Sequence, residues 1–279
     1  MSDVNIVEFI SSVMTSEDLA DGPVVVRSAK LNRTASVYGI LLEPGLAEKA
    51  WQQWHSLRQK TGLIPCLTSI KSSEQAFFSL ADSSVQEDTV MPREELHIDR
   101  AERRVADIVA RVAARSIAKA QGDYPEEVEE ERQLHDPKQL TELLEAETGA
   151  VLTGDSLAFQ ERWGMSPLWL LLVEARAGFS LPTLLPNFAS NARTAFPDSQ
   201  ALSSADHCAF LEHWNHAYGA EVFFMTSTEV QMQVSRPPVR REKIAELAIE
   251  HHAYSDDLDH VVDTGNTQAR STVWSFWWD

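Results

Sequence analysis

Apolar residues in the first quarter of the chain alternate between helical and strand-like spacing. Residues 4–14 and 46–60 place apolar side chains three or four positions apart, which predicts two amphipathic helices. Segments 23–28, 36–42 and 63–70 are rich in β-branched and aromatic residues, which predicts strands. The succession of strand, strand, helix and strand is typical of one side of an α/β layer.

The same spacing rules predict further elements in the rest of the chain. Residues 93–121 carry the longest helical pattern, and residues 240–253 carry another. The uninterrupted apolar run 167–175 has the length of a strand and predicts a central one, covered on both faces. The aromatic segment 272–279 alternates Trp, Phe and Trp on one side, so we expect a terminal strand packed into the core.

Residues with strong end preferences fix several helix boundaries. Asp136 followed by Pro137 predicts a helix start, with Asp as the N-cap and Pro at the first helical position. Ser203 and its polar neighbours predict the start of another helix, which Gly219 ends. Gly62 stands where the helix over 46–60 needs a C-terminal cap.

A β-hairpin is predicted after Gly219. Its two arms are AEVFFMTS and EVQMQVS, and Pro237 and Pro238 stop the second arm. In that arm Gln231 and Gln233 alternate with apolar residues, which predicts one dry face and one solvent-facing face.

These elements together predict an α+β fold with a mixed, mainly antiparallel sheet and helices packed against it. We expect three stretches along the chain. Residues 1–92 form an N-terminal α/β part that contributes to the core, and residues 93–150 form a helical acidic middle segment that could be an insertion. Residues 151–279 form a C-terminal domain.

The net charge of the chain limits the classes of molecule that we expect it to bind. The net charge is −18, with 42 acidic against 24 basic residues. Phosphate backbones and anionic membranes are bound through Lys and Arg, so we expect neither nucleic-acid nor membrane binding. A basic protein would be attracted to this surface, although such a charge can also serve solubility alone.

The cysteines and the N-terminus indicate a cytoplasmic protein. Cys66 and Cys208 are far apart and lie in apolar settings, which predicts buried free thiols. The N-terminus has no basic start and no apolar run reaches the ~20 residues that span a bilayer. We found no nucleotide-binding glycine loop or nucleophile elbow, and we expect no cofactor.

Several residues of the C-terminal third form a recognisable pattern of aromatic, proline and charged positions. They are Trp214, Tyr218, Gly219, Ala220, Pro237, Pro238, Glu250, His251, Tyr254, Trp274, Phe276, Trp277, Trp278 and Asp279. In these residues the chain resembles a bacterial domain-of-unknown-function family, number 4253, which carries a W-x-x-x-Y/F-G-A element, a double proline, an E-H/Q-x-x-Y helix and a closing W-x-F-W-W-D. The resemblance covers residues 165–279, with a weaker similarity over 50–68. It implies a fold rather than an activity.

Two groups of residues are candidate sites. The acidic run Glu126, Glu127, Glu129, Glu130 and Glu131 could form a binding surface, or could pair with the arginine stripe of the preceding helix. That stripe comprises Arg100, Arg104, Arg111 and Arg115.

The alternative site is a His/Asp cluster near the C-terminus. His251, His252, Asp256 and Asp259 are residue types that bind divalent transition metals, although their spacing matches no established motif. The same residues could equally form a solvated helix end.

We therefore expect a non-enzymatic acidic protein-binding module, for example an immunity-like or antitoxin-like protein that neutralises a basic partner. Two alternatives stay open. One is a metal-dependent hydrolase that uses the His/Asp cluster at 251–263, and the other is a structural subunit of a larger assembly. The sequence leaves the oligomeric state open.

Overall fold

The computed structural model describes most of the chain. The described residues are 3–17, 19, 24–31, 35–69, 98–145, 151–154, 167–185, 188, 202–255, 257–258 and 260–278. They form two compact units, each assembled from three stretches of chain. Unit 1 comprises Met1–Arg93, Asp155–Phe188 and Val222–Thr226, and unit 2 comprises Glu94–Gly154, Ala189–Glu221 and Ser227–Asp279.

Unit 1 contains the N-terminal helices and strands. Its elements are α1 (Asp3–Ser16), β1 (Val26–Lys30), β2 (Ser36–Leu42), α2 (Ala47–Thr61), β3 (Leu63–Ser69), β4 (Leu168–Glu174), a 3-10 turn (Gly178–Ser180), α6 (Leu181–Leu184) and most of β5 (Ala220–Met225). The helices and strands predicted for residues 4–70 are therefore confirmed. The first strand begins at Val26, three residues later than predicted.

Unit 2 is mainly helical. Its elements are α3 (Ile98–Asp123), a 3-10 turn (Pro125–Glu127), α4 (Val128–Leu134), α5 (Pro137–Leu143), α7 (Ser204–Tyr218), β6 (Glu229–Val234), α8 (Arg241–Tyr254), α9 (Val261–Asn266), a 3-10 turn (Gln268–Arg270) and β7 (Val273–Trp277). None of the helices within the described ranges is both long and apolar enough to cross a bilayer.

The strands follow the order β1-β2-β4-β3-β5-β6-β7. β4 lies between β2 and β3 and is antiparallel to both, so the prediction of a central strand is confirmed. β3 and β5 run parallel, with Leu67 opposite Phe224, whereas β6 and β7 are antiparallel, with Met232 opposite Trp274. The sheet is thus mixed and mainly antiparallel, which confirms the predicted α+β class.

The helix ends follow the cap residues. Asp136 is the N-cap of α5 and its carboxylate accepts from the backbone N–H of Lys138 at 2.8 Å. Ser203 caps α7 in a reciprocal capping box with Asp206. The Asp136 cap fixes the start of α5, which follows the acidic segment within three residues of the end of α4.

The predicted solvent-facing side of β6 is wrong. Gln231 is only 2% exposed, and its amide donates a hydrogen bond to the buried carboxylate of Glu229. Polar residues can occupy a covered strand face when they hydrogen-bond one another, so alternation alone did not reveal that both faces of β6 are covered. Both cysteines are free and buried, as predicted, and burial raises the pKa of Cys66 to about 12.

Gly62 and Gly219 both adopt left-handed backbone conformations, with φ of 70° and 63°. We predict that Gly62→Ala destabilises the protein by roughly 1 kcal/mol, the usual penalty of a Cβ in this region. Gly219→Ala should cost more, because a Cβ there would meet the hydroxyl of Ser235, whereas open space surrounds Gly62. Urea unfolding of the two variants measures the difference.

The double variant Gly219→Ala/Ser235→Ala is the control for this comparison. Measured against the single variant Ser235→Ala, which itself loses the hydrogen bond from the Ser235 hydroxyl to the Gly219 carbonyl, the double variant should show a further loss of unfolding free energy close to that of Gly62→Ala, because the clash with the hydroxyl is gone. Equal losses for the two single glycine variants would contradict the proposed contact.

Candidate functional site

The acidic residues predicted as a surface lie on the turn after α3 and on α4. Glu126, Glu127, Glu129 and Glu130 are all exposed. Pro125 starts the 3-10 turn, and α4 follows it without a break at Val128. The two short elements therefore present four carboxylates on one continuous stretch of solvated chain.

Apolar side chains accompany these carboxylates. Tyr124 directly precedes the turn and is 52% exposed, although its backbone N–H still closes the last turn of α3 on Ala120. Leu143 at the end of α5 is also exposed. The segment thus combines negative charge with accessible apolar area, which protein-binding surfaces need.

Glu131 does not belong to this exposed set. Its carboxylate accepts a hydrogen bond from the Ser116 hydroxyl at 2.7 Å and lies 3.5 Å from His135 Nε2. The side chain is 29% exposed. Glu131 therefore holds α4 against α3, and the fifth residue of the predicted surface has a structural role.

Two arginines of the α3 stripe bind groups other than the acidic run with which the sequence analysis proposed to pair them. Arg104 Nε donates to Asp206 Oδ1 at 2.6 Å, and Arg111 Nε donates to the Asp107 carbonyl at 3.3 Å. Burial would raise the pKa of Asp206, but hydrogen bonds from Ser203 and Arg104 lower it below its usual value. These arginines line a surface groove with Asp107 and Asp206. The acidic run is thus left free of them.

The His/Asp cluster is divided by the structure. His251 and His252 are consecutive on α8, so their side chains point about 100° apart around the helix. Asp256 and Asp259 lie outside the described residues. Within the described ranges, no three His, Cys, Asp or Glu side chains are grouped so that they could hold a metal ion. The two histidines must therefore be considered separately.

His251 lies inside an aromatic core. Its ring centroid is 4.6 Å from that of Trp274 and 5.0 Å from those of Trp214 and Phe276. The residue is completely buried, and burial lowers the pKa of His251 to about 3. It is a neutral core side chain that solvent does not reach.

His252 faces the other way, toward His135 at the C-terminal end of α4. Their ring centroids are 6.2 Å apart and the rings are inclined at 61°. Burial lowers the pKa of His252 to about 4, and His135 adds a smaller lowering effect. Burial likewise lowers the pKa of His135, which Glu131 partly opposes.

The aromatic core also holds a polar pair that the sequence did not predict. Trp214 Nε1 donates to Glu250 Oε2 at 2.8 Å, and His213 Nε2 lies 3.2 Å from Glu250 Oε1. Burial would lower the pKa of His213, but the hydrogen bond and charge of Glu250 raise it above its usual value. One carboxylate therefore serves an indole and an imidazole together.

A second polar contact joins α7 and α8. His207 Nδ1 and the Tyr254 hydroxyl are 2.7 Å apart, and the Trp278 ring packs against both side chains. Burial raises the pKa of Tyr254 well above its usual value. Trp274, Phe276 and Trp278 are buried while Trp277 is 38% exposed, so the predicted packing of the terminal strand is confirmed.

The residues of this core are those on which the family resemblance rested: Trp214, Glu250, His251, Tyr254, Trp274, Phe276 and Trp278. Residues 170–279 match the family model described as Domain of unknown function (DUF4253). The resemblance is thereby confirmed for this part of the chain. In the DUF4253 match region, the described signature residues explain packing and hydrogen bonding within unit 2, so they account for the fold more directly than for an activity.

A search of curated proteins and a search of solved structures found no match to the chain. The contact between His213 and Glu250 was not predicted from the sequence. His213 and Glu250 are 37 residues apart in the sequence, so local spacing could not reveal their contact. The one available signal was that both lie on predicted helices, His213 beside Trp214 and Glu250 near Tyr254.

Lowering the pH should destabilise the protein, because histidines that are buried and neutral in the folded state bind protons when the chain unfolds. Unfolded His251 binds a proton below its ordinary pKa of 6.5, whereas folded His251 stays neutral until about pH 3, so stability is complete above 6.5 and falls as the pH is lowered. Between pH 6.5 and about pH 5 the unfolding free energy should therefore decrease. We predict that His251→Phe reduces this decrease by about 2 kcal/mol. Urea unfolding at the two pH values measures this.

NMR titration of the wild-type His251 ring tests the same point without a variant. No protonation of this ring should occur above about pH 5 while the protein is folded. A titration near 6.5 would show that solvent reaches the ring and would contradict the buried position.

Glu250→Gln should lower the pKa of His213. The carboxylate charge that raises this pKa is removed while the burial that lowers it persists. NMR titration of His213 measures the change, with Glu242→Gln as control because Glu242 lies on the same helix and pairs with Arg240 at the surface. A His213 pKa that is unchanged in Glu250→Gln would contradict the assigned contact.

Proposed function

We propose that the chain is a non-enzymatic bacterial protein-binding module that captures a basic protein on the acidic surface formed by Glu126, Glu127, Glu129 and Glu130. An immunity-like or antitoxin-like protein that neutralises its partner is the concrete form of this proposal. The observation that carries it is that these exposed carboxylates closely follow the exposed Tyr124 along the chain.

The carboxylates are available to a partner. Glu129 lies 3.4 Å from Arg132, an exposed pair of low energy, and Arg104 and Arg111 of α3 are engaged elsewhere. The net charge of −18 adds a long-range attraction for basic proteins and accelerates their association at low salt.

Charge alone gives rate and selectivity, so tight binding also needs an apolar anchor. Tyr124 supplies one, since tyrosine combines a large ring with a hydroxyl and few rotatable bonds. Its position immediately before Pro125 fixes it beside the acidic turn. A partner with lysines or arginines around an apolar pocket would fit this arrangement.

The aromatic core favours a binding function over catalysis at the His/Asp cluster. His251 and Tyr254 have the most strongly shifted pKa values there, and both are completely buried. A substrate could reach them only if α7, α8 and β7 separated. A catalytic acid or base must instead meet its substrate within hydrogen-bonding distance.

The test is affinity purification of the tagged protein from its host at about 50 mM and about 500 mM salt, with mass spectrometry of the captured proteins. We expect a stoichiometric basic partner at low salt that is lost at high salt. The absence of any basic partner at low salt would contradict the proposal.

Variants then locate the surface on the purified pair. Glu126→Gln/Glu127→Gln/Glu130→Gln should weaken binding about tenfold, since each lost charge contributes roughly 0.5 kcal/mol. The matched control Glu8→Gln/Glu17→Gln/Glu43→Gln removes the same three charges from exposed positions of unit 1. Equal weakening by both triple variants would mean that only net charge matters and would contradict a specific surface.

A further inference from the structure

His135 and His252 place two buried ring nitrogens in one small region of unit 2. The side chain of His135 is 6% exposed, and Nδ1 of each ring is buried. Neither Nδ1 atom has a hydrogen-bond partner among the described residues. Buried polar atoms of this kind normally bind a protein group, an ordered water or an ion.

Glu131 orients one of these rings. Its carboxylate lies 3.5 Å from His135 Nε2, which favours the tautomer with the proton on Nε2 and leaves a lone pair on Nδ1. The hydrogen bond from Ser116 to the same carboxylate holds it in place. In many metal sites a carboxylate accepts the proton of the histidine nitrogen that does not bind the metal, and a small movement of the Glu131 carboxylate would form such a hydrogen bond here.

The separation of the rings suits a shared ion. With a metal–nitrogen distance of about 2.1 Å, the centroids of two imidazoles on one ion lie at most about 6.4 Å apart. The observed separation is 6.2 Å, so a change in the χ1 angle of either histidine that brings the centroids roughly 1 Å closer gives a tetrahedral angle.

From this geometry we infer that His135 and His252 bind a divalent transition-metal ion such as Zn²⁺ between α4 and α8. The two imidazoles are the protein ligands, and water occupies the other coordination positions. Imidazole nitrogen selects Zn²⁺, Co²⁺ or Ni²⁺ over Mg²⁺ and Ca²⁺, which prefer oxygen ligands. Both rings are neutral near pH 7, as metal binding requires.

This site differs from the His/Asp cluster that the sequence suggested. It keeps His252 but replaces the core residue His251 with His135, which lies 117 positions before His252 in the chain. The inference does not rest on the proposed binding function, because neither histidine belongs to the acidic surface.

The first test is isothermal titration of the tag-free full chain with ZnCl₂ near pH 7, together with the absorption spectrum of the Co²⁺ form. We expect one saturable ion per chain and a visible Co²⁺ band. In parallel, NMR should show that the His135 and His252 ring signals shift on Zn²⁺ addition while those of His251 do not. The absence of saturable binding would overturn the inference and assign the site to ordered water.

Variants assign the ligands. His135→Gln and His252→Gln should each abolish the tight binding event, and Glu131→Gln should weaken it roughly tenfold or more because the ring loses its orientation. His216→Gln is the matched control, since His216 lies on α7 and its side chain is 43% exposed. Circular dichroism verifies that each variant is folded, and the wild-type NMR titration decides the assignment for any variant that is not.

Two results would overturn the assignment. One is unchanged Zn²⁺ affinity in the double variant His135→Gln/His252→Gln. The other is loss of binding in His216→Gln, which would place the ion on α7.

Discussion

The packing of the Trp214 indole in unit 2 is the interaction on which the aromatic core depends. Its ring stacks on Phe276 at 5.2 Å and meets Tyr254 and Trp274 edge to face. These contacts join α7, α8 and β7. A buried indole also needs a partner for its N–H, and the Glu250 carboxylate supplies it. Large apolar burial and one satisfied polar atom thus fix three elements together.

The same aromatic core also determines which ionisable side chains near it can be charged. Desolvation keeps His251 neutral, whereas Glu250 remains at the edge of the core with His213 beside it. Neutral histidines and a partly exposed carboxylate are the arrangement with the lowest desolvation cost. The carboxylates of Glu126, Glu127, Glu129 and Glu130, in contrast, lie at exposed positions where they keep their hydration.

Local patterns predicted the elements well because the relevant physics is local. The caps at Asp136, Ser203, Gly62 and Gly219 act within a few residues, so the sequence was sufficient to identify them. The strand β4 was recognisable because both of its faces are covered by apolar neighbours. The buried Gln231 was missed, because its environment depends on what covers the strand and on the neighbouring Glu229, which the alternating pattern does not reveal.

The candidate sites were harder to predict because they depend on contacts between distant segments. Adjacency in sequence suggested that His251 and His252 act together, but helical geometry separates consecutive side chains by about 100°. Glu131 was grouped with the acidic surface by sequence, yet its hydrogen bond with Ser116 gives it a different role. Only the packing of α4 against α3 and the contact of His135 with His252 distinguish these residues from their neighbours.

The position of Glu131 and His135 on and beside α4 links the two proposals physically. The exposed carboxylates precede Glu131 on the same short segment, and a helix of seven residues has little stability of its own. An ion held by His135 and His252 would fasten this segment to α8 and reduce its conformational freedom. A partner that binds the acidic surface would then find it already ordered, and the two binding events would favour each other by the same factor.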